Sequence, residues 1–314
     1  MQLSQVLTAY IRHQQDRGRL FRGEARTLRS FGRAMGHVPV DDIDAARVSA
    51  FVVPDGPLTA FAAYKYGILG RFYRFAIARG LAQACPLPPL SPRKPPPMAP
   101  HIYSAEEMRG LLAATVHLHS PSSPLQATTC RVLLLVLYST GLRVSEALGL
   151  TLADVDLAEA ILRVRDTKFH KTRLVPVGPQ LAVELQAYAR QRRLLPQPCG
   201  EASAFFATRT GGHLSYERAS TLFRRVRALA HVQREPQARY QPRLHDLRHT
   251  AAVHRVIHWY RTGQNVQRLL SALATYLGHV DIASTQRYLS MTPELLRAAC
   301  GRFESYAQQE SGHE

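Results

Sequence analysis

Three observations predict a mainly α-helical protein built from two domains. Apolar residues recur at helical spacing along most of the 314-residue chain. A proline-dense segment from Cys85 to Pro100 interrupts this pattern, because proline cannot continue a helix, and it is typical of a semi-rigid linker. Strand-like alternation is convincing at one place in the second half. We therefore expect a helical domain over residues 1–86, a linker over 87–101, and an α-rich domain with a small antiparallel β-sheet or hairpin over 102–314.

The first domain is predicted to contain four helices. The first two place apolar residues on one face, at Leu3, Val6, Leu7, Tyr10 and Ile11 and then at Leu28, Phe31 and Met35. A short capped helix follows in the segment DDIDAARVSAFV. A longer helix in TAFAAYKYGILGRFYRFAIARGLA ends near Gly80. Helices of this length and number form a small bundle.

The second domain opens with a helix whose cap is visible in the sequence. Ser104 at the N-cap and Glu107 three residues later form a capping-box pattern. A buried helix with the segment CRVLLLVLYST then breaks at Gly141, and we expect a new helix from Leu142 that has Arg143 in its first turn. The predicted hairpin follows, with apolar positions at Leu162, Val164, Leu174, Val175 and Val177.

The rest of the chain is predicted to be helical. It ends in an amphipathic helix from Thr292, whose apolar face carries Leu295, Leu296, Ala299 and Phe303. The longest apolar run, VLLLVLY, is far shorter than the roughly 20 residues that a membrane span needs. There is also no signal-peptide core at the N-terminus. We therefore expect a soluble cytoplasmic protein.

Charge is the clearest compositional signal. A net charge of +17 and an isoelectric point near 10.3 favour a polyanionic partner, and nucleic acid is the first candidate. A generally basic surface, or binding to anionic lipid, would also explain a high net charge. Membrane attachment usually confines the charge to one tail or helix, and here it is not confined in this way. The four cysteines are scattered without metal-like spacing, which predicts buried thiols in a reducing compartment.

Two short segments contain candidate phosphate ligands. Arg143 lies just after Gly141, where its guanidinium is suited to hold an anion. It also has a helical neighbour in Glu146, so a plain surface ion pair would explain it too, and Glu146 could orient Arg143 in either case. Further along, His245 and Arg248 lie three residues apart in the segment LHDLRHT and could both face a phosphate.

Metal binding is the alternative for the histidine-rich segment. His245 and His249 have the spacing of a zinc-binding helix, but the glutamate that such a motif needs after its first histidine is replaced by Asp246. We therefore expect no metal and no other cofactor. His249, His254 and His258 are more simply explained as packed or surface residues of a helix.

Lysine is rare in this chain, which has 36 arginines and only Lys65, Lys94, Lys168 and Lys171. Lys168 and Lys171 both lie in DTKFHKTR, at the turn of the predicted hairpin. They could contact a nucleic-acid backbone in a solvated turn. Alternatively, one of them could donate a proton to a leaving oxygen, which an ammonium group can do and a guanidinium cannot.

The order of these segments resembles the tyrosine recombinases, the lambda-integrase or phage-integrase family, and in particular integrases of mobile elements. The resemblance extends over nearly the whole chain, through STGLRVSEALGLTLADVDL, TKFHKTRLVPV, LHDLRHT and YLGHVDIASTQRYL. It implies an N-terminal SAM-like helical core-binding bundle and a C-terminal DNA breaking-rejoining catalytic domain. Matched by position, the catalytic residues are Arg143, Lys168, His245, Arg248, His279 and the nucleophile Tyr288, with Glu146 supporting the first arginine.

The resemblance also implies a mechanism that needs neither metal nor ATP. Tyr288 would attack a DNA phosphodiester with His245 as the base, and Lys168 would protonate the leaving 5′ oxygen. The product would be a 3′-phosphotyrosyl link. The family turn has a glycine after the lysine, where this chain has Phe169 and His170, so Lys171 remains the alternative proton donor. Tyr276, close to His279, is expected only to pack.

What the family implies for assembly is a C-shaped clamp on double-stranded DNA and a synapse of four protomers, identical or mixed with companion recombinases. The last helix would dock on a neighbouring protomer or on its own domain. The expected role is integration, excision or transposition of a mobile element, at a nucleoid-associated site in the cytoplasm. Dimer resolution, a type IB topoisomerase and an inactive basic DNA-binding protein are the alternatives.

Overall fold

A computed structural model of the chain describes residues 1–53, 59–89, 91–92, 99–165, 172–238, 240–278, 295–297 and 300–301. The chain divides into two compact units, Met1–Met98 and Ala99–Glu314. It is mainly helical with one small antiparallel sheet, so the predicted fold class is confirmed. Within the described ranges, no helix is both long enough and apolar enough to cross a membrane.

The first unit contains the predicted four helices: α1 (Leu3–Asp16), α2 (Arg22–Met35), α3 (Ala45–Val52) and α4 (Ala60–Ala78). Each apolar residue predicted to face the core of α1 and α2 is buried. Asp44 caps α3 by accepting a hydrogen bond from the backbone N–H of Ala46, at 2.9 Å. The ring of Tyr10 makes edge contacts with Phe21 and Phe72, which join α1 to α4 in one core.

The second unit contains seven further helices and three strands with described bounds: α5 (Ala105–Ala114), α6 (Gln126–Thr140), α7 (Val144–Leu148), β1 (Val155–Asp156), β2 (Ile161–Val164), β3 (Arg173–Pro176), α8 (Pro179–Arg193), α9 (Tyr216–Leu229), α10 (Asp246–Arg261) and α11 (Val266–Leu277). Residues 295–297 and 300–301 are helical as well. The predicted capping box is present at α5. Ser104 accepts from the N–H of Glu107, and Glu107 accepts from the N–H of Ser104. Helix α6 is buried on most of its sides and packs against α8 and α10.

The sheet is antiparallel with the strand order β1-β2-β3. Leu162 pairs with Val175, and both are buried, so the predicted register places these apolar side chains in the core. The sheet also includes β1, whose two residues are too few for any periodic pattern to show. Two details of the prediction were wrong. Leu174 is exposed, and Val177 lies beyond the end of β3.

Helix α6 ends at Gly141, as predicted, because this residue has a left-handed backbone with φ of 63°. The next helix begins later than predicted. Leu142 and Arg143 precede α7, and Arg143 occupies its N-cap position rather than its first turn. The break therefore presents Arg143 on an extended backbone, where Glu146 reaches back to accept from its N–H at 2.9 Å.

Helices α10 and α11 form a second core in this unit. Val253, Val256 and Leu277 are buried there, and Leu295 joins them. Leu295 therefore lies on an inward face as predicted, whereas Leu296 is exposed, which corrects the predicted apolar face. Ala299 and Phe303 lie outside the described residues. The cysteine prediction also needs correction, because only Cys130 is buried while Cys85, Cys199 and Cys300 are exposed.

Replacement of Gly141 by alanine is predicted to destabilise the second unit by about 1–3 kcal/mol. Alanine is strained at positive φ, and its Cβ would lie 2.5 Å from Cδ2 of the buried Leu277. Urea denaturation of the full chain measures the loss. Gly110→Ala is the control. Gly110 lies inside α5, and an added Cβ would lie 3.7 Å from the Cβ of Ala230, so this substitution should be neutral or stabilising by up to about 1 kcal/mol. Equal midpoints for the two variants would contradict the prediction.

Candidate active site

Four of the predicted site residues lie together in the second unit. Arg143 and Glu146 flank the start of α7, while His245 and Arg248 lie at the N-terminal end of α10. The other four candidates, Lys168, Lys171, His279 and Tyr288, lie outside the described residues. In the sequence, residues 166–171 connect β2 with β3, and residue 279 directly follows Gly278 at the end of α11.

Arg248 is the most deeply buried of these residues, with 1% of its surface exposed. Its Nη1 donates to the carbonyl of Gly141 at 2.6 Å, and its Nη2 donates to the carbonyl of Leu277 at 2.8 Å. These carbonyls lie at the C-terminal ends of α6 and α11, where the helix dipole favours a cation. One guanidinium thus joins three helices.

Glu146 is the centre of a second polar cluster. Each of its two carboxylate oxygens accepts two hydrogen bonds. Oε1 accepts from Arg143 Nη1 at 2.7 Å and from Arg173 Nη1 at 3.2 Å. Oε2 accepts from the N–H of Arg143 at 2.9 Å and from Arg173 Nη2 at 2.8 Å. A carboxylate offers about four acceptor positions, so this one is saturated.

These contacts decide the charge of Glu146. Burial alone would raise the pKa of its carboxyl, but the hydrogen bonds and positive charges of Arg173 and Arg143 outweigh burial and lower the pKa to about 2. The carboxyl of Glu146 is therefore ionised at neutral pH. It holds the side chain of Arg143 in place, so the predicted ion pair is present, in a partly buried position.

Arg173 is a residue of this cluster that the sequence analysis missed. It is the first residue of β3, and its side chain is 15% exposed. The available signal was indirect: an arginine begins the second strand of the predicted hairpin, yet nothing in the sequence connects it with Glu146, 27 residues earlier. Only the packing of β3 beside α7 reveals the pair.

Both arginines of the predicted phosphate site donate hydrogen bonds to carbonyls at the C-terminal end of α11. Arg248 binds the carbonyl of Leu277, and Arg143 Nη2 donates to the next carbonyl, that of Gly278, at 3.2 Å. Gly278 has φ of 69°, and a Cβ there would lie 2.7 Å from Arg173 Nη1. A glycine is therefore required for this approach. The two guanidiniums converge on consecutive residues directly before residue 279.

His245 stands at the N-cap of α10, one residue before the helix begins. Burial lowers the pKa of its imidazole, and the nearby charges of Arg248, Arg243 and Arg143 lower it further, against the opposing effect of Asp246. His245 is thus neutral near pH 7 and able to accept a proton. The carboxylate of Asp246 is occupied by Arg243, whose Nη2 and N–H both donate to it at 2.9 Å.

The remaining histidines of α10 have structural surroundings, as expected. His249 contacts His245 edge to face, and burial lowers its pKa to about 4. His254 Nδ1 is 2.9 Å from the hydroxyl of Tyr138, and His258 is exposed. Across the described part of the chain, no group of three or more His, Cys, Asp and Glu side chains is arranged to hold a metal ion. Tyr276 packs as predicted and donates to the carbonyl of Pro176.

The site therefore presents an excess of positive charge. Arg143 and Arg173 both bind the carboxylate of Glu146, Arg248 binds the carbonyl of Leu277, and the neutral imidazole of His245 is close enough for Arg248 and Arg143 to lower its pKa. Guanidinium groups in a partly buried, water-poor position bind an oxyanion strongly and stabilise charge that develops on it. Such an arrangement is suited to phosphoryl transfer.

Sequence comparison decides the family. The profile described as "Phage integrase family" matches residues 104–294. The chain belongs to the phage integrase family. The predicted resemblance to tyrosine recombinases is thereby confirmed. A putative integrase/recombinase, y4rE of Sinorhizobium fredii, is 35% identical over 96% of this chain and 95% of its own length. The tyrosine recombinase XerD of Ralstonia nicotianae is 30% identical over 87% of this chain and 82% of its own.

Solved structures of two integrases have the same fold. The Tn1549 transposon integrase in complex with transposon right end DNA gives a TM-score of 0.67 at 17% identity, covering 98% of this chain and 100% of that one. A lambda integrase tetramer bound to a Holliday junction gives 0.64 at 17% identity, covering 92% and 77%.

Glu146→Gln is predicted to lower the free energy of unfolding at pH 7 by roughly 3 kcal/mol, the value linked to a carboxyl pKa of about 2 in the folded protein against 4.5 when unfolded. This contribution is complete above pH 4.5 and declines as the pH falls toward 2. The difference in free energy of unfolding between the wild type and Glu146→Gln should therefore be smaller at pH 3.5 than at pH 7, by more than about 1 kcal/mol. Urea denaturation at both pH values measures it.

Glu184→Gln is the matched control for this prediction, because Glu184 also pairs with an arginine, Arg131, at 2.9 Å but is 35% exposed. Its loss should cost no more than about 1 kcal/mol. A Glu146→Gln protein as stable as this control would show that the buried cluster does not stabilise the fold.

Proposed function

We propose that this protein is a site-specific DNA recombinase that cleaves and rejoins DNA through a covalent bond to Tyr288. The observation that carries the proposal is the convergence of Arg143 and Arg248 on the two carbonyls that precede residue 279. Membership of the phage integrase family supports the same reaction, since relatives of this chain are named integrases and tyrosine recombinases. The proposed catalytic residues are Arg143, Lys168, His245, Arg248, His279 and Tyr288.

The chemistry begins with a poor nucleophile. The phenol of tyrosine has a pKa of about 10, so Tyr288 needs a base and a phosphate whose added charge is stabilised. His245 is neutral near pH 7 and takes the proton. Arg143 and Arg248 stabilise the non-bridging oxygens as the tyrosine oxygen attacks phosphorus, and each such donor contributes about 3–4 kcal/mol in comparable sites.

The remaining steps conserve the bond energy. The new bond joins phosphorus to the Tyr288 oxygen, the bond from phosphorus to the 5′ oxygen breaks, and that oxygen receives a proton from Lys168. A 3′-phosphotyrosyl intermediate results. In the reverse step the 5′ hydroxyl of another strand gives its proton to Lys168 and its oxygen attacks phosphorus, the bond from phosphorus to the Tyr288 oxygen breaks, and His245 returns the proton to that oxygen. No bond energy is lost, so the scheme requires no ATP, and its groups require no metal ion.

Double-stranded DNA is the proposed substrate, and the charge of +17 supports it. Residues 1–86 would form the core-binding domain and residues 102–314 the catalytic domain. The active unit would be four protomers, identical or mixed with companion recombinases, since a lambda integrase of the same fold forms a tetramer on a Holliday junction. Such a protein would work at the nucleoid.

The biological role would be integration or excision of a mobile element. Both the y4rE relative, named an integrase/recombinase, and the fold shared with a transposon integrase support this over dimer resolution. A topoisomerase would relax any supercoiled plasmid, whereas a recombinase acts at its own site. An inactive DNA-binding protein would bind DNA without forming a covalent adduct.

Tyr288→Phe is predicted to abolish formation of a covalent protein–DNA adduct on a nicked substrate that carries the recombination site. The wild-type protein should form this adduct without added metal. Gel electrophoresis under denaturing conditions measures it, and Tyr276→Phe is the matched control, because Tyr276 only packs and bonds Pro176. An adduct that persists in Tyr288→Phe would refute the nucleophile assignment.

The two hairpin lysines are predicted to differ. Lys168→Ala should slow cleavage strongly, because the leaving 5′ oxygen then departs without a proton, and a 5′-thio leaving group should restore the rate. Lys171→Ala should weaken only DNA binding, with a change of about one unit in the salt dependence. Single-turnover cleavage of the two substrates measures both effects. Rescue of Lys171→Ala in place of Lys168→Ala would make Lys171 the proton donor.

A further inference from the structure

We propose that Arg173 is a positioning residue for DNA cleavage: by holding the carboxylate of Glu146, it fixes Arg143 and keeps the phosphate site positively charged. This inference rests on the recombinase function proposed above. It gives a role to a residue that belongs to none of the predicted catalytic positions. Arg173 begins strand β3 and follows Lys171 by two positions in the sequence.

The first argument is geometric. Arg173 binds Glu146 through both terminal nitrogens, one to each carboxylate oxygen, at 3.2 and 2.8 Å. A two-point contact of this kind fixes the plane of the carboxylate as well as its position. Arg143 binds the same carboxylate through Nη1 and through its backbone N–H. Without Arg173, rotation of the Glu146 carboxylate would carry the Arg143 guanidinium with it.

The second argument is electrostatic. A lone pair of Arg143 and Glu146 has no net charge, and the carboxylate would oppose the attraction of Arg143 for a phosphate. Arg173 adds a second positive charge to the same carboxylate, so the cluster of three side chains has a charge of +1. The side chain of Glu146 is 8% exposed, which limits screening of these charges by water. Arg173 thus offsets the effect of Glu146 at the site.

The third argument is the place of Arg173 in the fold. Its guanidinium packs against Gly278, where a Cβ would lie 2.7 Å from Nη1, and the carbonyl of Gly278 accepts from Arg143. Arg173 therefore contacts both residues that orient Arg143. It also ties the base of the hairpin to α7 and to the end of α11. A displacement of the start of β3 would therefore reach Arg143 through this side chain.

A direct contact of Arg173 with DNA is the competing explanation. The side chain is 15% exposed, and both of its terminal nitrogens already bind Glu146. Action through Glu146 and action on a phosphate differ in what they change. A positioning residue alters the rate of cleavage in the bound complex, whereas a phosphate contact alters DNA affinity and its dependence on salt.

The test measures single-turnover adduct formation by the full chain at increasing DNA concentrations. Arg173→Ala should reduce the rate at saturating DNA by about 10–100-fold, the range found when a residue that supports an active-site ligand is removed. The DNA concentration at half-saturation should change less than threefold, and the salt slope should be unchanged. Arg173→Lys, which keeps the charge but not the two-point contact, should recover part of the rate.

Arg163→Ala is the matched control. Arg163 lies on the neighbouring strand β2, is exposed, and makes its hydrogen bond with the carbonyl of Ala153 instead of with Glu146. The Arg163→Ala substitution removes the same charge from the same sheet. The cleavage rate of this variant at saturating DNA should equal that of the wild-type protein. A thermal melt of each variant separates folding from function. If Arg173→Ala does not fold, the comparison of Arg173→Lys with the wild type decides.

The dependence on pH gives a second, independent readout. Loss of Arg173 removes the strongest partner of Glu146 and leaves its burial, so the pKa of Glu146 should rise from about 2 toward the assay range. Protonation then releases Arg143. Arg173→Ala should therefore lose activity as the pH is lowered from 7 to 5, relative to the wild type, and the double variant with Glu146→Gln should be free of this additional loss.

Each result points to one conclusion. If Arg173→Ala cleaves at the wild-type rate at saturating DNA and binds DNA normally, Arg173 has no role in cleavage. If its rate is unchanged but its DNA affinity is tenfold weaker with a changed salt slope, Arg173 contacts DNA. Either result overturns the positioning role. In both cases the wild-type adduct still forms, so the recombinase function stands. Absence of a wild-type adduct on its own site refutes the recombinase function instead.

Discussion

The buried guanidinium of Arg248 is the constraint on which the second unit depends. A charge removed from water is tolerated only where good partners surround it. Here the partners include the carbonyls of Gly141 and Leu277, which lie where α6 and α11 end. Both helices end at a glycine with a left-handed backbone, Gly141 and Gly278. The glycines, the helix ends and the arginine are thus parts of one arrangement, in which the end of each helix depends on the same buried side chain.

The cluster around Glu146 extends this arrangement toward the surface. Arg143 and Arg248 bind consecutive carbonyls, so their separation is set by one peptide unit rather than by two flexible side chains. Glu146 fixes Arg143 from the opposite side. A site of this kind is organised before any substrate binds, and preorganised charge is what makes electrostatic catalysis effective, because no reorganisation is needed during the reaction.

Sequence patterns predicted the features that a few neighbouring residues determine. The cap of α5 at Ser104, the break at Gly141 and the pair of Arg143 with Glu146 are of this kind, and family membership was confirmed. The contact of Arg173 with Glu146 and the carbonyl partners of Arg248 were not predictable. They join residues 27 to 107 positions apart, and only the packing of whole elements brings them together.

The small sheet has a further consequence for the behaviour of the protein in solution. Strand β3 lies at the edge of the sheet and would be open to pairing with a strand of another molecule. It is four residues long, begins with a charged residue, and ends at Pro176, which has no N–H to offer and whose carbonyl accepts from Tyr276. The short length of the strand, its final proline and the contact from α11 each reduce the capacity of this edge to pair with a strand of another molecule.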